Sequence, residues 1–384
     1  MSIVSFLRII NAVKKELNIA LVQDWLTGMR GGEKVLEVLC ELFTNATLFT
    51  LLHNKGAMSP TIERMKIRTS FIQNLPLKEE GYRNYLPLFP RAIESFDLLG
   101  FDLILSTSHC VAKGAIPRQG AMHICYCHTP MRYVWEMYDE YFGPGRARLA
   151  TRLAMASFRR YLQKWDVVSS DRVHHFIANS DNVARRIQSY YGRDADVIHA
   201  PVDTDRFQLS NRDEGYYLIV TALVPYKRVD LAIQAFNKLG ERLIIVGKGP
   251  ELEKMRSMAG RKIEFLGWQS DDELVRLYAG CRALIFPGVE DFGIVPLEAM
   301  ACGKPVVAYG KGGAMETVIE KENGGTGVFF YEQTVDALLE ALTKLRHRSM
   351  DAREIRKHAE RFSRANFKER MAAYIHEKME VSGF

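Results

Sequence analysis

The chain has 384 residues, 47% of them hydrophobic and 26% charged, with a formal net charge of +6. That length accommodates two or three domains at about 100–200 residues each, and the balance is that of a globular protein with apolar surface for two cores. A bilayer-spanning chain is excluded on this reading, because no apolar run reaches the roughly 18–20 residues a helix needs to cross. The six cysteines lie mostly in apolar or helical runs, and with no secretory signal they read as reduced cytosolic thiols.

In chain order, residues 1–15 precede the first strand as an extension. Within 1–17, Ile3, Phe6, Leu7, Ile10, Val13 and Leu17 fall at helical spacing among Arg8, Lys14 and Lys15. A helix on a membrane surface, a helix docked on the protein and an extension from an upstream start codon all fit this pattern. Short apolar runs then alternate with amphipathic segments, as in a parallel α/β sheet. Strands are predicted at Ile19–Val22, Thr47–Leu51, Leu103–Ser106, Ile124–Cys127, Phe176–Ala178 and Val197–Ile198. Gly31 and Gly32 open a helix over Glu33–Leu42, either as an ordinary strand-to-helix turn or as a place where backbone meets phosphate. His128 ends the run HICYCH at the sheet edge where ligands bind, and Arg132 follows in a bend. Alternation puts Cys125 and Cys127 on one face and His128 away from it, so no metal site is expected there.

From Gly145 to Trp165 runs a helix with Arg146, Arg148, Arg152, Arg159, Arg160 and Lys164 among Leu149, Leu153, Met155, Phe158 and Leu162. It reads either as a solvated basic face or as a face for anionic lipid headgroups. Nucleic acid is not expected, since the aromatic–basic interleaving of a binding platform is missing. Ser180 caps a helix that stops at Gly192. Residues 200–207 with the polar stretch 210–215 read as a linker. A second α/β series follows, with strands at Tyr217–Thr221, Leu243–Val246, Ile263–Leu266, Ala283–Phe286, Val306–Ala308 and Val328–Phe330. Ser270 and Glu273 form a capping box, and after Thr334 the chain reads as almost wholly helical.

Val289–Val318 is the most informative stretch. It sets Glu290 and Glu298 eight residues apart around a small-residue turn and opens a helix at Pro296. Proline is tolerated at a first helical position, and the N–H groups of Gly293, Ile294 and Val295 stand free for phosphate oxygens. Glu298, in the first turn, is placed to accept two hydroxyls, as a ribose diol offers. Lys227, with Arg228 beside it, follows a strand and supplies positive charge for a leaving diphosphate. Gly247-Lys248-Gly249 lacks the third glycine of a dinucleotide fingerprint.

This segment resembles the E-x(7)-E signature of family 4 of the retaining glycosyltransferases, through Phe292–Gly293, the run Pro296–Ala308 and Gly312–Gly313. Asp24–Leu39, Cys125–Trp135 and Ala222–Phe236 resemble the bacterial mannosyltransferase branch that builds O-antigen and exopolysaccharide. The resemblance implies the α/β GT-B fold, two Rossmann-like domains with parallel sheets facing each other across a cleft. It implies an acceptor domain over 16–205, a nucleotide-sugar domain over 214–350 and C-terminal helices over 351–384 that cross back. It makes His128 and Glu290 the catalytic candidates. The donor candidates are Gly31, Gly32, Lys227, Arg228, Lys248, Phe292, Gly293, Ile294, Val295 and Glu298, with Arg132 on the sugar or acceptor side. Many members carry arginine where this chain has Ala222, which leaves open which residue supplies the second cation.

The activity implied is metal-independent transfer of mannose from GDP-mannose, without a cofactor, to a lipid-linked glycan at the inner face of the plasma membrane. UDP-glucose, UDP-galactose or a nucleotide deoxysugar are alternative donors. A sugar-nucleotide epimerase of the same shape and a catalytically silent nucleotide-binding partner are alternatives of other classes.

Overall fold

In a computed structural model, which describes residues 17–76, 81–143 and 149–381, the alternating pattern folds into two α/β units. The segment 1–16, which carries almost all of the proposed surface helix, lies outside the described residues, as do Arg146 and Arg148.

The first unit holds a seven-stranded parallel sheet of β1 (Ile19–Gln23), β2 (Thr47–Thr50), β3 (Lys66–Thr69), β4 (Leu103–Ser108), β5 (Met122–Cys127), β6 (His175–Ala178) and β7 (Ala195–Val197). Their order is β3-β2-β1-β4-β5-β6-β7, so the winding direction reverses between β1 and β4. Strands β1, β2, β4 and β5 are buried along their whole length, which explains why they read as short, largely apolar runs without a polar alternation. The exception is β3, an exposed edge strand of sequence KIRT that carries no apolar signature. Trp25, Phe49, Tyr82 and Phe89 anchor the core on one side of the sheet, and Cys125, Cys127, Phe176 and Val183 form a cluster on the other. All six cysteines are buried free thiols, and burial pushes that of Cys125 up to about 12.

The second unit repeats the scheme with β8 (Tyr216–Val220), β9 (Arg242–Val246), β10 (Ile263–Gly267), β11 (Ala283–Phe286), β12 (Val306–Tyr309) and β13 (Gly327–Phe330). Its order is β10-β9-β8-β11-β12-β13, every pair parallel, with the reversal between β8 and β11. Local sequence rules account for several helix ends. The Ser180 hydroxyl accepts from Val183 N–H, and Gly192 closes that helix at φ 65°. Ser270 likewise accepts from Glu273 N–H at the start of Asp271–Gly280.

Contacts divide the chain into 17–199 with 367–381, and 200–366. The expected linker groups with the second unit: Arg356 donates to the carbonyls of Thr204, Phe207 and Ala301, and Val202 N–H donates to Phe362 O. Helix Ala352–Glu360 therefore belongs to the second unit, whereas the expected spans set it apart with the C-terminal helices. From Phe367 onward the last helix lies on the first unit, where Phe367 meets Tyr126, Arg370 donates to Val197 O and Tyr374 donates to Asp196. Among the described residues, no helix is long and apolar enough to cross a membrane.

Candidate functional site

In doubly wound sheets, ligands bind beyond the carboxyl ends of the strands where the winding reverses. In the second unit that place lies between the loops after β8 and β11. The first delivers Lys227, at the end of a short 3-10 turn Pro225–Lys227, and the second delivers Glu290. Their side chains form a direct ion pair, with Lys227 9% and Glu290 24% exposed. Gly288 makes this approach possible, because a Cβ there would come within 2.7 Å of Lys227 Cα. A largely desolvated ammonium at this position is a strong local source of positive charge, shared with the Glu290 carboxylate.

The helix after Glu290 starts two residues earlier than the sequence suggests. It spans Ile294–Ala301 with Gly293 as N-cap at φ 90°, a conformation in which any residue with a Cβ is strained. Pro296 therefore stands at the third helical position and offers no N–H, so the amides of Ile294 and Val295 are the ones presented to an anion. Glu298 is displaced into the second turn, where it is buried and accepts a hydrogen bond of 2.8 Å from Tyr278 OH. Burial and then the neighbouring Glu298 push the Tyr278 phenol well above its usual range, so it stays a donor. One carboxylate oxygen thus accepts from within the fold, while a carboxylate has about four acceptor sites in all. Phe292 is also turned inward, 3% exposed against Phe362, which makes its side chain core rather than ligand contact.

Arg228 adopts φ 51°, the only positive φ outside glycine among the described residues. Its guanidinium donates to Asp230 at 3.3 Å and Gln333 at 3.2 Å, so its charge is already balanced. Lys248 is exposed at the end of β9. The glycines around it serve packing: a Cβ on Gly247 would meet Thr221 O at 1.8 Å, and one on Gly249 would meet Leu223 O at 2.2 Å. Gly312 and Gly313 are pressed in the same way onto the backbone of Glu290–Phe292, where Gly313 N–H donates to Glu290 O.

In the first unit the reversal lies between the loops after β1 and β4, with the end of β5 alongside. The helix Gly31–Leu42 opens on exposed Gly31, and Glu33 folds back to accept from Arg30 N–H at 3.1 Å. A Cβ on Gly32 would lie 3.3 Å from His128 Nε2, so the imidazole sits directly over the helix start. His128 follows the last residue of β5 and is fixed through its N–H to Ser108 O. Arg132 lies in the next turn, where its guanidinium reaches Met137 Sδ at 3.8 Å.

Sequence reasoning missed two members of this cluster. Asp24, directly after β1, is fully buried and accepts four backbone N–H bonds of 2.6–3.0 Å from His109, Cys110, Val111 and Ala112. It also pairs with His109 Nδ1 at 3.0 Å. Burial raises this carboxyl's pKa, but His109 and the amide donors outweigh it and hold the group below its usual range. Glu33, also buried, is pushed up by burial despite the opposing influence of His109. The available signal was positional: an aspartate and a histidine each directly follow a strand bordering the reversal.

Two doubly wound parallel units, with phosphate-competent groups at the reversal of the second and imidazoles at that of the first, define a GT-B-type architecture. Solved structures agree on the fold. Sucrose-phosphate synthase from Thermosynechococcus elongatus superposes with TM-score 0.71 at 15% identity, covering 95% of this chain and 99% of that one. HepE from Anabaena in complex with UDP-glucose gives 0.66 at 18%, covering 94% and 100%. A lipopolysaccharide outer core galactosyltransferase gives 0.66 at 17%, covering 94% and 99%. The sequence model described as Glycosyltransferase Family 4 matches residues 30–206, and that described as Glycosyl transferases group 1 matches 202–366. Taken together these matches run through both units and support a family 4 glycosyltransferase. D-inositol 3-phosphate glycosyltransferases of Mycobacterium bovis and Mycobacterium tuberculosis are 31% identical over 226 residues, covering 51% of this chain and 47% of theirs. The match therefore spans about half the length of these curated relatives.

Proposed function

We propose that this protein transfers a hexose from a nucleotide sugar to a glycan acceptor with retention of anomeric configuration, and that the donor is GDP-mannose. The observation that carries the transfer reading is the Lys227–Glu290 pair beside the Ile294 and Val295 amides. The ammonium and the helix start together neutralise the charge that grows on a departing diphosphate. The acceptor hydroxyl enters on the face the diphosphate leaves, its oxygen bonds to the anomeric carbon, and its proton passes to the leaving phosphate. Glu290 then holds a sugar hydroxyl and stabilises positive charge at that carbon, and the role of His128 is a hydrogen bond to a sugar hydroxyl or to the reacting oxygen. Because these groups supply the charge, the reaction needs no metal, and EDTA is expected to leave the rate unchanged.

The mannosyl donor rests on the resemblance to the O-antigen and exopolysaccharide branch. A UDP-hexose is the second reading, favoured by the UDP-glucose held by HepE. Isothermal titration of the purified chain with GDP, UDP, GDP-mannose and UDP-glucose, without metal, separates them. Selective binding of the guanine pair supports the proposal. Preference for the uracil pair discards the mannosyl donor, and binding of none overturns the transfer reading.

We further infer that the acceptor is lipid-linked and met at the inner face of the plasma membrane. The helix Leu149–Val168 exposes Leu149, Leu153, Phe158, Tyr161 and Val168 together with Arg160 and Lys164. Arg159, counted in the expected basic face, instead turns inward over the Tyr138 ring at 4.1 Å. The face is thus more apolar than its sequence implied, which suits insertion at a headgroup boundary. Sedimentation with phosphatidylglycerol vesicles tests it: Leu149→Asp with Leu153→Asp should abolish retention, and unchanged retention would contradict it.

A further inference from the structure

The loop after β4 is built around one imidazole. Asp24 fixes the backbone of 109–112 with four accepted N–H bonds and then takes His109 Nδ1 at 3.0 Å. A buried carboxylate saturated by donors can only accept, so Nδ1 carries a proton towards it and Nε2 is the ring nitrogen that Asp24 leaves unengaged. Trp25, itself buried, contacts the ring edge-on with centroids 4.5 Å apart and blocks its rotation. Yet the ring is not sealed in: His109 is 24% exposed, whereas Asp24 is 0% exposed. Its centroid lies 6.5 Å from that of His128, which covers the Gly32 helix start.

We propose that His109 is an acceptor-binding residue of this glycosyltransferase, its Nε2 forming a hydrogen bond with an acceptor hydroxyl at the sheet edge near His128. This rests on the transfer reading above and adds a named contact on the acceptor side. Asp24 is the positioning residue: it accepts from Nδ1–H and orients the ring so that Nε2 is the nitrogen offered to a ligand. Glu33 and His128 are the other titratable groups facing this ring. The proton of the bound hydroxyl stays on its oxygen at this step, so His109 orients the acceptor without taking part in bond exchange.

Two substitutions separate holding the loop from holding the substrate. In His109→Asn the side-chain amide replaces Nδ1–H towards Asp24 and nothing replaces Nε2. In His109→Gln the amide oxygen reaches the Nε2 position and can accept a hydroxyl. The assay follows nucleoside diphosphate release from the nucleotide sugar that titration selects, with octyl α-mannoside, octyl α-glucoside or octyl α-galactoside as acceptor probe. The acceptor-stimulated rate at sub-saturating probe should fall about 10- to 100-fold in His109→Asn, the scale of one substrate hydrogen bond, with donor KM unchanged. His109→Gln should recover part of it. Wild-type behaviour of His109→Asn, or a loss confined to donor KM, overturns the assignment. Release that no probe stimulates in the wild-type chain counts equally against an acceptor pocket here. A wild-type chain that binds no nucleotide sugar at all overturns the transfer reading and this proposal together, and titration distinguishes that case.

Discussion

The two units place their functional groups at the same point of the same topology, but with opposite chemistry. In the second, a half-hidden carboxylate meets a nearly buried ammonium directly, and fixed backbone dipoles stand beside them. In the first, half-buried imidazoles stand at the sheet edge, and the charge is buried behind His109 on Asp24. Strong charge suits a diphosphate, whose departure it assists. Hydrogen-bonding imidazoles suit hydroxyls, which need orientation more than neutralisation. The same loops, after the first and fourth strands of each unit, thus yield a donor-type and an acceptor-type surface.

The sharpest way to break this contrast is to remove charge from the second unit. Glu290→Gln should lower transfer by about 10²–10³, since electrostatic stabilisation of the reacting centre acts on that scale. Some thermal stability should be lost with it, because the nearly buried Lys227 ammonium loses its counter-ion. A rate within threefold of wild type would remove Glu290 from the reaction.

In the first unit the largest effect should be on folding. Asp24→Ala leaves four backbone N–H groups without their acceptor, with a cost of about 3–5 kcal/mol in urea unfolding. The sign with pH follows from the lowered folded pKa. The contribution of Asp24 is fully present above the unfolded carboxylate value near 4 and is lost as pH falls through the lower folded value. Wild type and Asp24→Ala should therefore differ fully at neutral pH and converge only in acid below about pH 4.

Gly32→Ala should act more mildly and more selectively. Alanine favours the helix, but its Cβ would press on His128 Nε2 at 3.3 Å, so the ring must give way. Transfer should drop about tenfold with stability unchanged or slightly raised, since a displacement of under an ångström can cost up to about a hundredfold in rate. The smallest effect belongs to Tyr278→Phe, which frees Glu298 of its internal donor. A severalfold change in nucleotide KM is expected, on the scale of about 1 kcal/mol for one hydrogen bond.

The second unit's site was largely legible because its parts are consecutive. Glu290, the Gly293 turn and Glu298 lie within one segment, and only Lys227 had to be found elsewhere. Reading still misplaced the helix start, because Pro296 fits a first helical position by propensity while Gly293 could cap the helix earlier. Burial was the other gap: whether Phe292 faces a ligand or Phe362, or Glu298 faces a ribose or Tyr278, depends on neighbours far along the chain. The first unit's cluster joins three crossovers, with Asp24 and His109 separated by 85 positions. No local pattern links them, so only His128 and the Gly31–Gly32 turn were found. The fold itself was more visible, since buried parallel strands write themselves as apolar runs, and the one strand missed, Lys66–Thr69, is an exposed edge.

The most direct test of the division of labour is to titrate the selected nucleotide sugar into wild type, Lys227→Ala and His109→Asn under one condition. The account predicts that Lys227→Ala weakens binding about 100-fold and that His109→Asn binds as wild type does. Equal weakening by both substitutions, or loss in His109→Asn alone, would contradict it.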